Sequence, residues 1–162
     1  MEHALHGWSL SHEGHRHALT EVSRVNPRAD RSQIPEAVAE SVDRFVDSLD
    51  GLEILVFLAR NAERAWTPAE IAVTLGIVLR RAQRSLEHLL RVAICVVETR
   101  PDNESAYRYA PSGADVLEAA ERIVAAYRTR RVALINYVAS EALNRIRALG
   151  EAFRVRTGNS DE

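Results

Sequence analysis

The spacing of apolar positions divides the chain into helices, one hairpin and short connections. From Pro35 onward, Val38, Val42, Phe45, Val46 and Leu49 recur at helical spacing, with Glu36, Glu40, Asp43 and Asp47 on the other side. Asp50-Gly51 is expected to interrupt that helix, and the almost wholly apolar stretch Leu52 to Ala59 predicts a buried one. After a short loop over Ala62 to Ala65, Thr67-Pro68-Ala69-Glu70 has the form of a helix start. It offers a Thr cap, Pro at the first helical position and Glu three residues after the cap. Ile71, Ala72 and Leu75 give the short helix an apolar face, and Leu75-Gly76-Ile77 supplies a turn. A second helix runs from Val78 to about Arg91, with Leu79, Ala82, Leu86, Leu89 and Leu90 on one side. Ile94 to Glu98 and Ser105 to Tyr109 read as two strands joined through Thr99 to Glu104, where Pro101 and Asp102-Asn103 are turn chemistry. Pro111-Ser112-Gly113 then opens a long helical pattern reaching about Ala139. Ala142, Ile146, Leu149 and Phe153 predict a further helix capped by Ser140.

The polar side of the second helix carries the chemistry. Arg80, Arg81, Arg84, His88 and Arg91 occupy one sector opposite the apolar residues, with Gln83 and Glu87 at its borders. A short helix, a turn and a helix with a basic outer face form a helix-turn-helix, whose second helix enters the DNA major groove. Arg80, Arg81 and Arg84 lie near the start of that helix, where a guanidinium can bond both acceptors of guanine; Gln83 can read adenine. Arg91 and His88 are placed for phosphate or solvent. Arg100 at the hairpin tip is a candidate for the minor groove or backbone, opposed by nearby Asp102 and Glu104. Thr67, which opens the first helix of the pair, completes the candidate DNA-binding set. The bland reading of the same arginines is a solvated helix face.

Residues 51–110 resemble a winged helix-turn-helix domain of bacterial transcriptional regulators such as the MarR, PadR and ArsR families. GLEILVFLARN is similar to their buried first helix, WTPAEIAVTLGI to the second helix with its turn, VLRRAQRSLEHLLRVA to the recognition helix, and ICVVETRPDNESAYRYA to a two-stranded wing. The Trp-Thr-Pro opening and the Ala-Phe-Arg-Val-Arg ending at 152–156 also resemble a poorly characterised bacterial winged-helix group. Two departures stand out: Val78 where such recognition helices often begin with Ser, Thr or Pro, and Ala93-Ile94 where Gly-Leu or Gly-Ile often leads into the wing. The implied fold is mainly α with a small β-wing, a winged domain flanked by N-terminal and long C-terminal helices. The implied activity is transcriptional regulation, with repression by occlusion.

Composition narrows this reading. A chain of 162 residues allows one domain with appendages, and its 46% hydrophobic and 27% charged content is that of a globular protein. The longest apolar runs, Ile54 to Ala59 and Val92 to Val97, are too short to span a membrane, and no apolar signal core opens the chain. A single cysteine, Cys95, excludes an intramolecular disulfide and suits a reducing cytoplasm, the expected location. The formal net charge is −2, and all 21 basic residues are Arg. Residues 34–60 sum to −4, residues 61–110 to +1 and residues 111–156 to +3, while residues 78–91 alone carry +3. So local a positive field fits groove contact better than broad coating of DNA.

Residues 1–33 read as a flexible His-rich extension and 157–162 as a disordered tail. Residues 34–50 read as a helix supporting a dimer, 51–110 as the winged domain and 111–156 as C-terminal dimerisation helices. His3, His6, His12, His15 and His17 follow no structural zinc spacing, so an incidental tract is preferred to a metal site. Cys95, in an apolar run, reads as a small hydrophobe before a redox sensor. Tyr107, Tyr109, Trp66 and Phe57 read as core before ligand pocket. Arg128, Arg130 and Arg131 are candidates for ion pairs across a dimer with the acidic 36–47 helix. No phosphate loop, catalytic triad or metal motif is present, so neither an enzyme nor a cofactor is expected. The leading expectation is a homodimer binding double-stranded DNA at an inverted repeat, its small-molecule effector left open. The alternative is a winged-helix module that binds protein without specific DNA binding.

Overall fold

The structure, a computed structural model, describes residues 33–157. The expectations for the His-rich extension and the acidic tail fall outside that range. Six helices and one hairpin follow in order: α1 (Glu36–Phe45), α2 (Leu49–Arg60), α3 (Pro68–Leu75), α4 (Leu79–Arg91), β1 (Cys95–Thr99), β2 (Ser105–Tyr109), α5 (Ala114–Thr129) and α6 (Arg131–Thr157).

Helix α2 is the centre of the core. Leu52, Ile54, Leu55 and Leu58 are fully buried, and Leu86 and Leu89 of α4 and Ile123 of α5 belong to the same cluster. Asp50-Gly51, expected to interrupt a helix, lies instead inside the first turn of α2. The chain leaves helical geometry at Val46 (φ −119°, ψ 121°), and Ser48 restarts it by accepting the Gly51 amide at 3.1 Å. That hydroxyl satisfies an amide with no intrahelical partner, which fixes the start of α2 ahead of Asp50. A Cβ on residue 51 would lie 2.8 Å from Asp47 Oδ1 and 3.2 Å from Ser48 Oγ, so a larger residue there displaces those side chains.

The apolar stripe of α1 is used inside the chain rather than being left for a partner. Val38, Val42 and Phe45 are buried where α1 packs on α5 and α6, and Tyr137 of α6 donates its hydroxyl to Asp43 at 2.6 Å. Arg131 likewise pairs within the chain, 3.4 Å from Glu53 of α2, while Arg130 donates to the Gln33 carbonyl at 3.1 Å. Arg145 of α6 donates to the carbonyls of Asp47 at 3.1 Å and Val46 at 3.4 Å, tying α6 to the corner between α1 and α2.

The long C-terminal pattern breaks at Arg130 (φ −139°, ψ 40°), well before the predicted stop. Ser140, expected to cap a new helix, is buried in the interior of α6 and donates to the Tyr137 carbonyl at 2.9 Å. No described helix is long and apolar enough to cross a membrane.

β1 and β2 pair antiparallel, from Cys95 opposite Tyr109 to Thr99 opposite Ser105. Trp66, just ahead of α3, adds a bridge to the hairpin that the sequence did not suggest: it exchanges two backbone bonds with Tyr107, each 2.8 Å. Its ring stands edge-on to Phe57 at 4.8 Å, and the Arg64 guanidinium covers it at 3.4 Å. The root of the hairpin is thereby pinned to the segment that starts α3, and these aromatics pack against the core.

Candidate nucleic-acid interface

Helix α3 begins as its sequence predicts. Thr67 Oγ1 accepts the Glu70 amide at 3.2 Å, Glu70 Oε2 accepts the Thr67 amide at 2.7 Å, and Pro68 fills the first helical position. At the other end Gly76 adopts left-handed angles (φ 67°, ψ 31°), a conformation costly for a residue with a Cβ, and Ile77 bonds back to the Ala72 carbonyl at 3.0 Å. Val78 then caps α4 by backbone alone: its carbonyl accepts from Arg81 and Ala82 at 2.9 and 3.1 Å.

Helix α4 turns Ala82, Ser85, Leu86 and Leu89 into the core. The buried stripe is narrower than predicted, because Leu79 is 45% and Leu90 36% exposed. The predicted site residues separate into two groups. Arg80, Gln83, Arg84 and Arg91 are exposed and have no hydrogen-bond or ion-pair partner among the described residues. The other four are engaged by the protein itself. Arg81 Nε lies 2.5 Å from Asp50 Oδ2. His88 turns back from the basic sector, with Nε2 3.2 Å from the Phe45 carbonyl and Nδ1 3.8 Å from Asp47 Oδ2. Thr67 is 4% exposed and its hydroxyl is committed to the cap, so it presents nothing to an incoming ligand. Arg100 folds from the hairpin back to Glu70 Oε1 at 3.5 Å.

Glu70 collects these contacts at one carboxyl. The Thr67 backbone amide, followed by the Arg100 and Arg64 charges, outweighs burial and holds it below the usual carboxylate range. With Arg100 drawn inward, the exposed hairpin tip presents Asp102 and Glu104. Within the helix-turn-helix and hairpin, Arg64, Arg100 and Arg108 are paired with carboxylates, so the unpaired cationic side chains there lie on α4. Next to them stand three exposed aliphatic residues, Val73 at 84%, Val78 at 64% and Leu79. Sequence reasoning did not count them as surface, because apolar side chains at helical spacing look like core. The signal lay in Val78: a β-branched residue at a position that usually offers a capping hydroxyl.

Cys95 is buried, and burial pushes its thiol up to about 12, leaving essentially no thiolate at neutral pH. An open cleft of about 630 Å³ lies at the α5–α6 junction, lined by Gln33, Arg128, Arg130 and Arg131 among others. A smaller one of about 250 Å³ includes Tyr109 and Glu121 but none of the other three aromatics named above.

No family model matches the sequence, and no curated protein does. Among solved structures, the chain is similar to a mutant of the S. aureus MepR bound to an oligodeoxyribonucleotide, with a TM-score of 0.47 and 10% identity over 80% of this chain and 91% of that one. It is also similar to a MarR-family transcriptional regulator from Rhodococcus sp. RHA1, with a TM-score of 0.45 and 15% identity over 78% and 88% of the two chains. The reduced form of MarR from E. coli gives a TM-score of 0.44 and 17% identity over 80% and 90%. By its own geometry, with α3 and α4 joined at a left-handed glycine and followed by a pinned two-stranded hairpin, the chain has a winged helix-turn-helix fold.

Proposed function

We propose that this protein is a sequence-specific DNA-binding transcriptional regulator that acts as a homodimer on an inverted repeat and represses by occlusion. The observation that carries the reading is the state of Arg80, Gln83 and Arg84. They project from the first half of α4, exposed and without a partner among the described residues, while the opposite face of that helix is held in the core. Side chains so placed on the second helix of this motif reach base edges in the major groove. Arg91, further along, is positioned for phosphate. Dimerisation is supported by α6, where Val132, Leu143, Ile146 and Leu149 are 73, 51, 65 and 61% exposed. An apolar stripe of that kind calls for a partner surface.

Selection of bound fragments from the source genome at two salt concentrations tests this reading. Recovery of one inverted repeat, bound less tightly as salt rises, is the expected result. Arg84→Ala then weakens binding to that repeat by about 1–3 kcal/mol, the worth of one good base contact. The exposed α6 stripe and the acidic hairpin tip favour a second reading, a protein-binding module. Absence of any enriched fragment selects it.

A further inference from the structure

Arg81 leaves the same end of α4 as Arg80 and Arg84, yet it meets a carboxylate of its own chain. Its partner, Asp50, stands in the first turn of α2, where unpaired backbone amides favour negative charge. The Asp50 side chain is 14% exposed and that of Arg81 is 64% exposed. The acid is thus the enclosed member of the pair, and the arginine the one open to solvent. Asp50 takes no part in the Ser48 cap, whose hydroxyl accepts from Gly51. The same arrangement recurs at Arg100, which is held by Glu70, again a carboxylate in the first turn of a helix.

A paired guanidinium and carboxylate present almost no net charge to a phosphate, so docking the pair against a strand releases no additional counterion. For Arg81 to reach a phosphate it must leave Asp50, and the enclosed carboxylate is then left facing the same strand. Binding to random duplex rests on such charge contacts, whereas recognition of a sequence rests on base edges.

We propose, resting on the DNA-binding reading above, that Asp50 is a specificity-determining residue: it withholds Arg81 from the phosphate backbone and so lowers affinity for random DNA while leaving Arg80 and Arg84 to read bases.

The test measures binding to random duplex and to a selected genomic fragment across a salt series, for wild type, Asp50→Asn, Asp50→Ser and Asp50→Asn with Arg81→Gln. Thermal unfolding is followed for each variant. Asp50→Ser keeps a short acceptor in the first turn of α2 should the amide variant fold poorly. Both single variants are expected to bind random duplex about five- to tenfold more tightly near 0.1 M salt, with a salt slope steeper by about one. Adding Arg81→Gln is expected to cancel both changes. Folded Asp50 variants with unchanged affinity and slope overturn the inference, as does a gain that survives Arg81→Gln. Unfolding of both variants also overturns it, by making Asp50 structural. If Arg84→Ala loses the selected fragment while the Asp50 variants change nothing, this inference alone falls. If wild type binds no duplex, the DNA-binding reading falls with it.

Discussion

Glu70 serves three neighbours with its two oxygens: one takes the Thr67 amide, the other Arg64 and Arg100. Replacing Thr67 by Ala removes the reciprocal half of that cap, and denaturant unfolding is expected to show a loss of about 1 kcal/mol. The pH dependence has a definite sign. The Glu70 carboxyl is depressed in the folded state, so its stabilising contribution is complete above its ordinary value of 4.5 and is lost as pH falls through the lower folded value. Glu70→Gln is expected to flatten the acid limb of a stability–pH profile in that window. Cys95 is expected to react with thiol reagents only through the unfolding transition, because both its burial and its raised pKa withhold the thiolate. The capping box was legible in the sequence since its partners are three residues apart. The Arg81–Asp50 pair was not, since Arg81 read as a base contact and Asp50 as part of a helix break, and nothing local links two residues on different helices.

Among the elements, the corner between α3 and α4 depends on one backbone conformation. A Cβ at residue 76 would meet no atom within 4 Å, so Gly76→Ala is unfavourable through its φ of 67° alone. An equilibrium melt is expected to register about 1–2 kcal/mol. This corner, the hairpin and the buried α2 could be read from the sequence because Gly, Pro and apolar period mark them locally. The break at Arg130 could not: no Gly or Pro stands there, and Ile123, Tyr127, Leu134 and Val138 carry one apolar line across it. Gly51 misled in the opposite sense. It looked like a helix break, but it lies inside α2, close against the side chains of Asp47 and Ser48 one turn before it. The Trp66 bridge involves a single residue pair distant in sequence, too little to leave a strand pattern.

For the whole molecule, the division of apolar surface decides assembly. Helix α1 spends its stripe on α5 and α6, whereas α6 leaves Val132, Leu143, Ile146 and Leu149 exposed. Paired Ile146→Glu and Leu149→Glu substitutions are expected to yield a monomer by sedimentation and to weaken operator binding together with it, as one half-site is given up. Both the basic helix and the C-terminal helix are fastened to the corner between α1 and α2, through His88 to the Phe45 carbonyl and Arg145 to the Val46 and Asp47 carbonyls. All of those acceptors belong to the main chain. These carbonyls are present whatever side chain stands at residue 47, and the Asp47 carboxylate adds a contact of its own, 3.8 Å from His88 Nδ1. A substitution at residue 47 thus removes a carboxylate that faces His88 while leaving in place the carbonyls that hold both helices.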